Sequence, residues 1–115
     1  MPNDFDREFQ IDGAGRIVPA GPLQLETGEN VTDLFAWVIQ TNQDGTGAMC
    51  AAFQDNFPSR VRWVAQGGAF SAGRFRAGQA HAMAVMVSTG SSHYQLGGAP
   101  ADPRVYRWSE TVVLR

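Results

Sequence analysis

The chain has 115 residues, of which 43% are hydrophobic, and its thirteen glycines and six prolines indicate frequent turns in a folded domain. Its single cysteine, Cys50, lies in an apolar run and excludes a disulfide within the chain. The sequence contains neither a signal-peptide pattern nor a run of about 18 apolar residues. We therefore expect a cytoplasmic protein without a membrane span.

The charge is divided between the two halves of the chain. Residues 1–57 carry nine acidic residues and two arginines, whereas residues 58–115 carry seven arginines and two acidic residues, and there is no lysine. Such a division indicates either an acidic partner for the second half or pairing between the halves. The net charge of −2 makes nucleic acid an improbable ligand.

The first part of the chain predicts short strands between turns. Residues 8–11 and 16–19 read as a hairpin around the turn Asp12-Gly13-Ala14-Gly15. After a proline-bounded break, residues 23–27 alternate apolar and polar side chains with a period of two. That period is typical of a half-buried strand.

The middle of the chain predicts a β-hairpin, whose second strand has a competing interpretation as a helix. Residues 34–41 are apolar at both odd and even positions and rich in β-formers, which suits a central strand. Residues 42–47 form the turn, and residues 48–53 form the partner strand. A competing interpretation makes residues 48–57 a short helix that ends at Pro58.

The second half predicts three further strands and two loops. Residues 60–66, 79–89 and 105–114 read as strands, residues 66–73 as a glycine-rich loop, and residues 90–103 as a long loop. Alternation places Val61 on the same face as Trp63 in the first of these strands, and Ala80, Ala82, Ala84 and Met86 on one face of the second. It places Tyr106, Trp108, Val112 and Leu114 together on the inner face of the last strand.

These elements predict an all-β fold in one domain over residues 1–115. Seven or eight short strands fit an antiparallel β-sandwich with an immunoglobulin-like strand count. The paired cysteines of antibody domains are absent, so the likeness is one of architecture. A small closed β-barrel is the first alternative, and an α+β fold with one short helix near residues 48–57 is the second.

Arginine next to aromatic residues is the sharpest chemical pattern in the sequence. We select Arg60, Arg62, Arg74 and Arg76, beside the loop from Gln66 to Arg76, as candidate residues for an anionic ligand or an acidic partner. Strand alternation puts Arg62 outside and Trp63 inside, so the two cannot share a face. The alternative is internal: Arg60, Arg62, Arg104 and Arg107 pair with acids of the first half.

Catalytic and metal-binding patterns are weak. His81, His93 and Cys50 lack the close spacing of zinc ligands, so we predict no metal site and no cofactor. His93 shares its loop with Ser91, Ser92 and Asp102, but no nucleophile elbow surrounds either serine.

The sequence therefore favours a non-enzymatic binding or protein-interaction module, either self-associating or bound to another protein. One alternative is a structural protein that assembles head-to-tail through its divided charge. The other is a small hydrolase-like enzyme that uses His93.

Overall fold

The computed structural model describes residues 3–54, 57, 59–65, 70–90 and 103–115. All regular secondary structure among these residues is β-strand, which confirms the predicted all-β fold. The strands are β1 (Glu8–Phe9), β2 (Ala20–Pro22), β3 (Glu29–Thr41), β4 (Gly47–Gln54), β5 (Arg62–Val64), β6 (Phe70–Ala72), β7 (Gly78–Gly90) and β8 (Arg104–Leu114).

The strands form two sheets of unequal size. Six of them make one sheet in the order β1-β8-β7-β3-β4-β6, and β2 pairs with β5 in a second sheet. The large sheet is antiparallel except at one edge, where β1 runs parallel to β8. In the described residues the large sheet ends at β1 and β6, so it is a sandwich layer and not the closed barrel of the alternative prediction.

The core lies between the inner face of the large sheet and the small sheet. Trp63 of β5 is fully buried, and its ring centroid lies 5.4 Å from that of Phe5 and 6.2 Å from that of Trp108 on β8. The Trp63 indole donates a hydrogen bond of 3.0 Å to the carbonyl oxygen of Asp4. These contacts join the N-terminal segment, the small sheet and the large sheet in one core.

Several sequence predictions are confirmed at the level of whole elements. Residues 34–41 lie within the central strand β3, which pairs with β4 on one side and β7 on the other. The helix predicted as an alternative for residues 48–57 is wrong, because residues 47–54 form β4. The alternation of Met49, Cys50 and Ala51 between outward and inward positions fits a pleated strand, where neighbouring side chains point to opposite faces.

The N-terminal predictions need correction. The turn at Asp12 exists, with the Asp12 amide bonded to the Arg16 carbonyl oxygen at 2.9 Å, but the residues flanking it do not form the predicted hairpin strands. Instead β1 pairs with β8, and β2 pairs with β5. Residues 23–27 are not a strand either, although Leu23 is buried. Local alternation therefore identified buried side chains but not their distant ladder partners.

Two details of the second half also differ from the sequence predictions. Residues 70–72 were predicted as loop and form the edge strand β6. Val61 was predicted to face inward with Trp63, but it precedes β5 and is 68% exposed. Most of the predicted loop at 90–103, and residues 66–69 of the glycine-rich loop, lie outside the described residues.

Candidate functional site

Two of the candidate arginines lie near the small sheet. Arg62 makes a two-pronged ion pair with Asp6, with nitrogen–oxygen distances of 2.6 and 3.0 Å. Arg60 is exposed and donates a hydrogen bond of 3.2 Å to the carbonyl oxygen of Glu26. Both guanidinium groups thus already have acceptors within the chain.

The other two candidate arginines follow β6. Arg74 donates a hydrogen bond of 3.0 Å to the carbonyl oxygen of Gly13. Arg76 lies 3.4 Å from a carboxylate oxygen of Asp44, and both side chains are more than half exposed. Their partners are turn residues of the first half of the chain.

The four arginines do not converge on one place. Glu26, the partner of Arg60, precedes β3, whereas Asp44, the partner of Arg76, follows β3. At roughly 3.3 Å per residue, the two ends of that strand are about 40 Å apart. The structure thus places Arg60 and Arg62 in one region and Arg74 and Arg76 in another.

The acidic first half and the arginine-rich second half of the chain form ion pairs with each other. Each ion pair found among the described residues joins an acid of the first half to an arginine of the second half. The pairs are Asp6–Arg62, Asp44–Arg76, Glu26–Arg104 and Glu8–Arg115. Two of the four arginines predicted to pair internally, Arg62 and Arg104, therefore do so. Arg60 bonds a carbonyl oxygen instead.

A buried carboxylate, Glu29, anchors a polar cluster at the start of β3. Its carboxylate accepts hydrogen bonds from the hydroxyls of Ser88 (2.6 Å) and Tyr106 (2.7 Å) and from the amide of Glu26 (2.9 Å). Burial alone would raise the pKa of Glu29, but these hydrogen bonds and the charge of Arg104 together lower the pKa below its ordinary value. The Glu29 side chain is fully buried, and its hydrogen bonds join β3 to Ser88 of β7 and to Tyr106 of β8. The cluster therefore stabilises the junction of these three strands.

A second carboxyl group, that of Glu110, has a raised pKa, in contrast to Glu29. Burial, followed by the neighbouring carboxyl of Asp4, raises the pKa of Glu110. Glu110 and Trp108 line a cleft of about 500 Å³ together with Met83, Val85 and other residues of β7 and β8. Within the described chain, the indole nitrogen of Trp108 and one carboxylate oxygen of Glu110 are buried without a hydrogen-bond partner.

Of the residues considered for catalysis or metal binding, those that the structure describes do not assemble into a site. His81 is exposed on β7, and His93 lies outside the described residues together with its serine-rich loop. Cys50 is buried, and that burial raises the pKa of its thiol, which disfavours the reactive thiolate. No group of three metal-ligating side chains is present in the part of the chain that the structure describes.

The most distinctive surface of the molecule is the side of the large sheet that faces away from the small sheet, which we call the outer face. Its central part comprises the outward residues of β3 (Asp33, Phe35, Trp37, Ile39), β4 (Met49, Ala51, Phe53), β7 (His81, Met83, Val85, Val87) and β8 (Val105, Arg107, Ser109, Thr111, Val113). Glu8 of β1 and Gln79 of β7 lie on the same side of the sheet, next to Val113. Most of these side chains are apolar.

Large apolar side chains of the outer face are open to solvent. Phe35, Ile39 and Met83 are 44–45% exposed, and Val105 is 50% exposed. The Phe35 ring is stacked on Trp37 at a centroid distance of 6.1 Å and contacts Phe53 at 5.0 Å. The centre of the outer face is therefore a continuous aromatic and aliphatic patch.

The outer face was not predictable from the sequence, because the apolar residues 34–41 equally suit a strand that is buried on both sides. A partial signal was present: an apolar side chain occurs at nearly every position of that stretch, and the outward residues of β4 and β7 are apolar too. Sequence pattern alone cannot tell whether a second apolar face is covered by the same chain or by another molecule.

Comparison of the chain with protein-family models, with curated proteins and with solved structures finds no match. In the described ranges, no helix is long and apolar enough to cross a membrane.

Proposed function

We propose that this chain is a non-enzymatic protein-interaction module that binds a partner protein through the outer face. The observation that carries the proposal is the exposed apolar patch around Phe35, Trp37 and Met83. Monomeric proteins rarely leave a contiguous apolar patch of more than a few hundred Å² in water. Such patches are typical of binding surfaces.

The chemistry of the patch supports protein binding over small-molecule chemistry. Trp37 and Phe35 are large, rigid side chains of the type that anchors protein interfaces. Across strands Trp37 lies opposite Met83, and methionine adapts its shape to a partner at small cost. Polar side chains such as Ser109 and Thr111 lie on β8, beside the apolar centre, where an interface usually carries its polar rim.

The proposal is tested by site-specific photocrosslinking in the living source cells. A photoreactive residue at position 35 should crosslink to one major partner, whereas the same residue at position 61, exposed but off the outer face, should not. The partner is identified by mass spectrometry, and the complex is rebuilt from purified components. Loss of the rebuilt complex in a Phe35→Glu variant would support the proposal. Equal crosslinking at both positions, or none at either, would contradict it.

Recognition of an acidic partner through Arg60, Arg62, Arg74 and Arg76 is a weaker proposal. Each of these guanidinium groups already donates to an acceptor within the chain, and a ligand would have to replace that acceptor. Retention on heparin that is strong at low salt and lost at high salt would favour this second proposal.

A cytoplasmic location is also part of the proposed function, and the free thiol of Cys50 is compatible with that location.

A further inference from the structure

We infer that the partner on the outer face is a second copy of this chain, and this inference rests on the proposed function. Two copies would stack face to face, with β3 and β7 near the centre of the interface. Sheets in β-sandwiches bury their apolar faces in this way, about 10 Å apart. Two features support a second copy as the partner: the size of the face and the positions of Asp33 and Arg107 on it.

The outer face has about the smallest size that a specific dimer interface requires. Its four strands, about 4.8 Å apart and about 25 Å long in the outward-facing part, give roughly 500 Å² of projected surface for each copy. Two copies together would bury about 1,000 Å² or more, which reaches the lower limit of specific protein interfaces. Association in pairs with two-fold symmetry is also the commonest oligomeric arrangement.

The charges on the outer face complement each other under a two-fold rotation. In the outward positions of residues 33–39, 49–53, 81–87 and 105–113, the formally charged side chains are Asp33 and Arg107. Asp33 lies opposite Val87, and Arg107 lies opposite Val85, so β7 separates them. Strand spacing and rise put them about 12 Å apart within one copy.

A two-fold axis that lies in the plane of the interface, midway between Asp33 and Arg107 and perpendicular to the line that joins them, places each residue opposite the other residue of the second copy. Each Asp33 carboxylate then faces the Arg107 guanidinium of the second copy, and the interface contains two such ion pairs. The described residues contain no ion pair for either side chain within its own copy.

The oligomeric state is measured by sedimentation equilibrium over a wide concentration range. The wild-type chain should approach twice its 12.5 kDa mass as concentration rises. Phe35→Glu should remain at the mass of one chain, because it places a charge in the apolar centre. Val61→Glu, at an exposed position off the outer face, is the matched control and should behave as wild type. Circular dichroism checks that each variant is folded.

A charge exchange tests the two-fold arrangement directly. Asp33→Arg alone places arginine at both positions 33 and 107 of each copy, and Arg107→Asp alone places aspartate at both. Each single variant should weaken association by about ten-fold or more at low salt. The double variant restores opposite charges and should return to within about three-fold of wild type. Such a rescue is expected only if the two sites meet across a symmetric interface.

The outcomes separate this inference from the proposed function. A wild-type chain that stays at the mass of one copy at every concentration overturns the self-association, while a crosslinked heterologous partner at position 35 would leave the proposed function intact. A dimer that Phe35→Glu does not disturb uses another surface and also overturns the inference. Single variants that weaken the dimer without rescue in the double variant contradict the two-fold placement.

Discussion

Two partly or fully buried carboxyl groups, those of Glu29 and Glu110, have pKa values that are shifted in opposite directions. Glu29 has a lowered pKa because its hydrogen bonds outweigh its burial, whereas burial and Asp4 raise the pKa of Glu110. Compared with the unfolded chain, the folded state therefore stabilises the charged form of Glu29 and the protonated form of Glu110. The same residue type thus has opposite effects on stability at two positions.

Glutamine substitutions at the two sites should change stability with opposite signs at pH 7. Glu29→Gln removes the charge that three donors stabilise and should cost about 1–3 kcal/mol of unfolding free energy. Glu110→Gln removes an unfavourable charge and should leave the protein equally or more stable. Each variant controls for the other, and urea unfolding measures both. Effects of the same sign would contradict the assignment.

The pH dependence gives an independent check on the same pair. The contribution of Glu29 is present above its ordinary pKa of 4.5 and is lost as the pH falls through its lowered pKa. The contribution of protonated Glu110 is present below 4.5 and is lost as the pH rises through its raised pKa. The advantage of Glu110→Gln over wild type should therefore shrink as the solution is acidified.

Individual side-chain orientations were predictable from the sequence where a strand is long. Ala80, Ala82, Ala84 and Met86 are buried on one face of β7, as their alternation indicated. The Glu29 cluster was not predictable, because its members come from three distant stretches of the chain. Nothing in the sequence around Glu29 signals that Ser88 and Tyr106 will surround its carboxylate.

At the level of elements, the link between β6 and β7 depends on a close backbone approach. Gly73 follows β6 with a φ of +73°, and a Cβ atom there would collide with the carbonyl oxygen of Gly47 at the start of β4. Only glycine meets both requirements. This contact holds the edge strand β6 against β4.

Alanine at Gly73 should therefore destabilise the protein more than alanine at Gly45. Gly45 also has a positive φ, of +85°, but a Cβ there would meet open space. The conformational strain alone should cost about 1–2 kcal/mol at Gly45, and the added collision should cost at least about 1 kcal/mol more at Gly73. Thermal unfolding of the two variants measures the difference. Equal losses would mean that the backbone shifts to avoid the collision.

Strand pairing was predictable from the sequence where it is local and not where it is distant. The hairpin of β3 and β4 was predicted because a short turn joins them. The parallel pair of β1 with β8 was not, because its members lie about a hundred residues apart along the chain. The turn at Asp12 suggested a local hairpin, yet Phe9 reaches its ladder partner, Leu114, at the other end of the sequence.

At the scale of the whole molecule, the two sheets are held together at one aromatic junction. Trp63 is fully buried between Phe5 and Trp108, and it is the main large side chain that β5 contributes to the core. The ion pairs between the halves of the chain lie at the surface, where each contributes little. Apolar packing, not the divided charge, therefore dominates the attachment of the small sheet.

Trp63→Ala should cost about 3–5 kcal/mol of unfolding free energy, a large part of the stability of a domain of this size. Val61→Ala, two residues earlier and exposed, should change stability by less than about 0.5 kcal/mol. Urea unfolding followed by tryptophan fluorescence and by circular dichroism gives both values. A loss below about 1 kcal/mol for Trp63→Ala would show that the small sheet contributes little to the fold.

The parallel pairing of β1 with β8 has a consequence for how the chain folds during synthesis. Glu8 and Phe9 are synthesised about a hundred residues before their ladder partners, Val113 and Leu114. The ribosome must synthesise the whole intervening stretch before this edge of the sheet can form. Non-local pairing of this kind slows folding, and Phe9 stays exposed to water, chaperones and other nascent chains until β8 arrives.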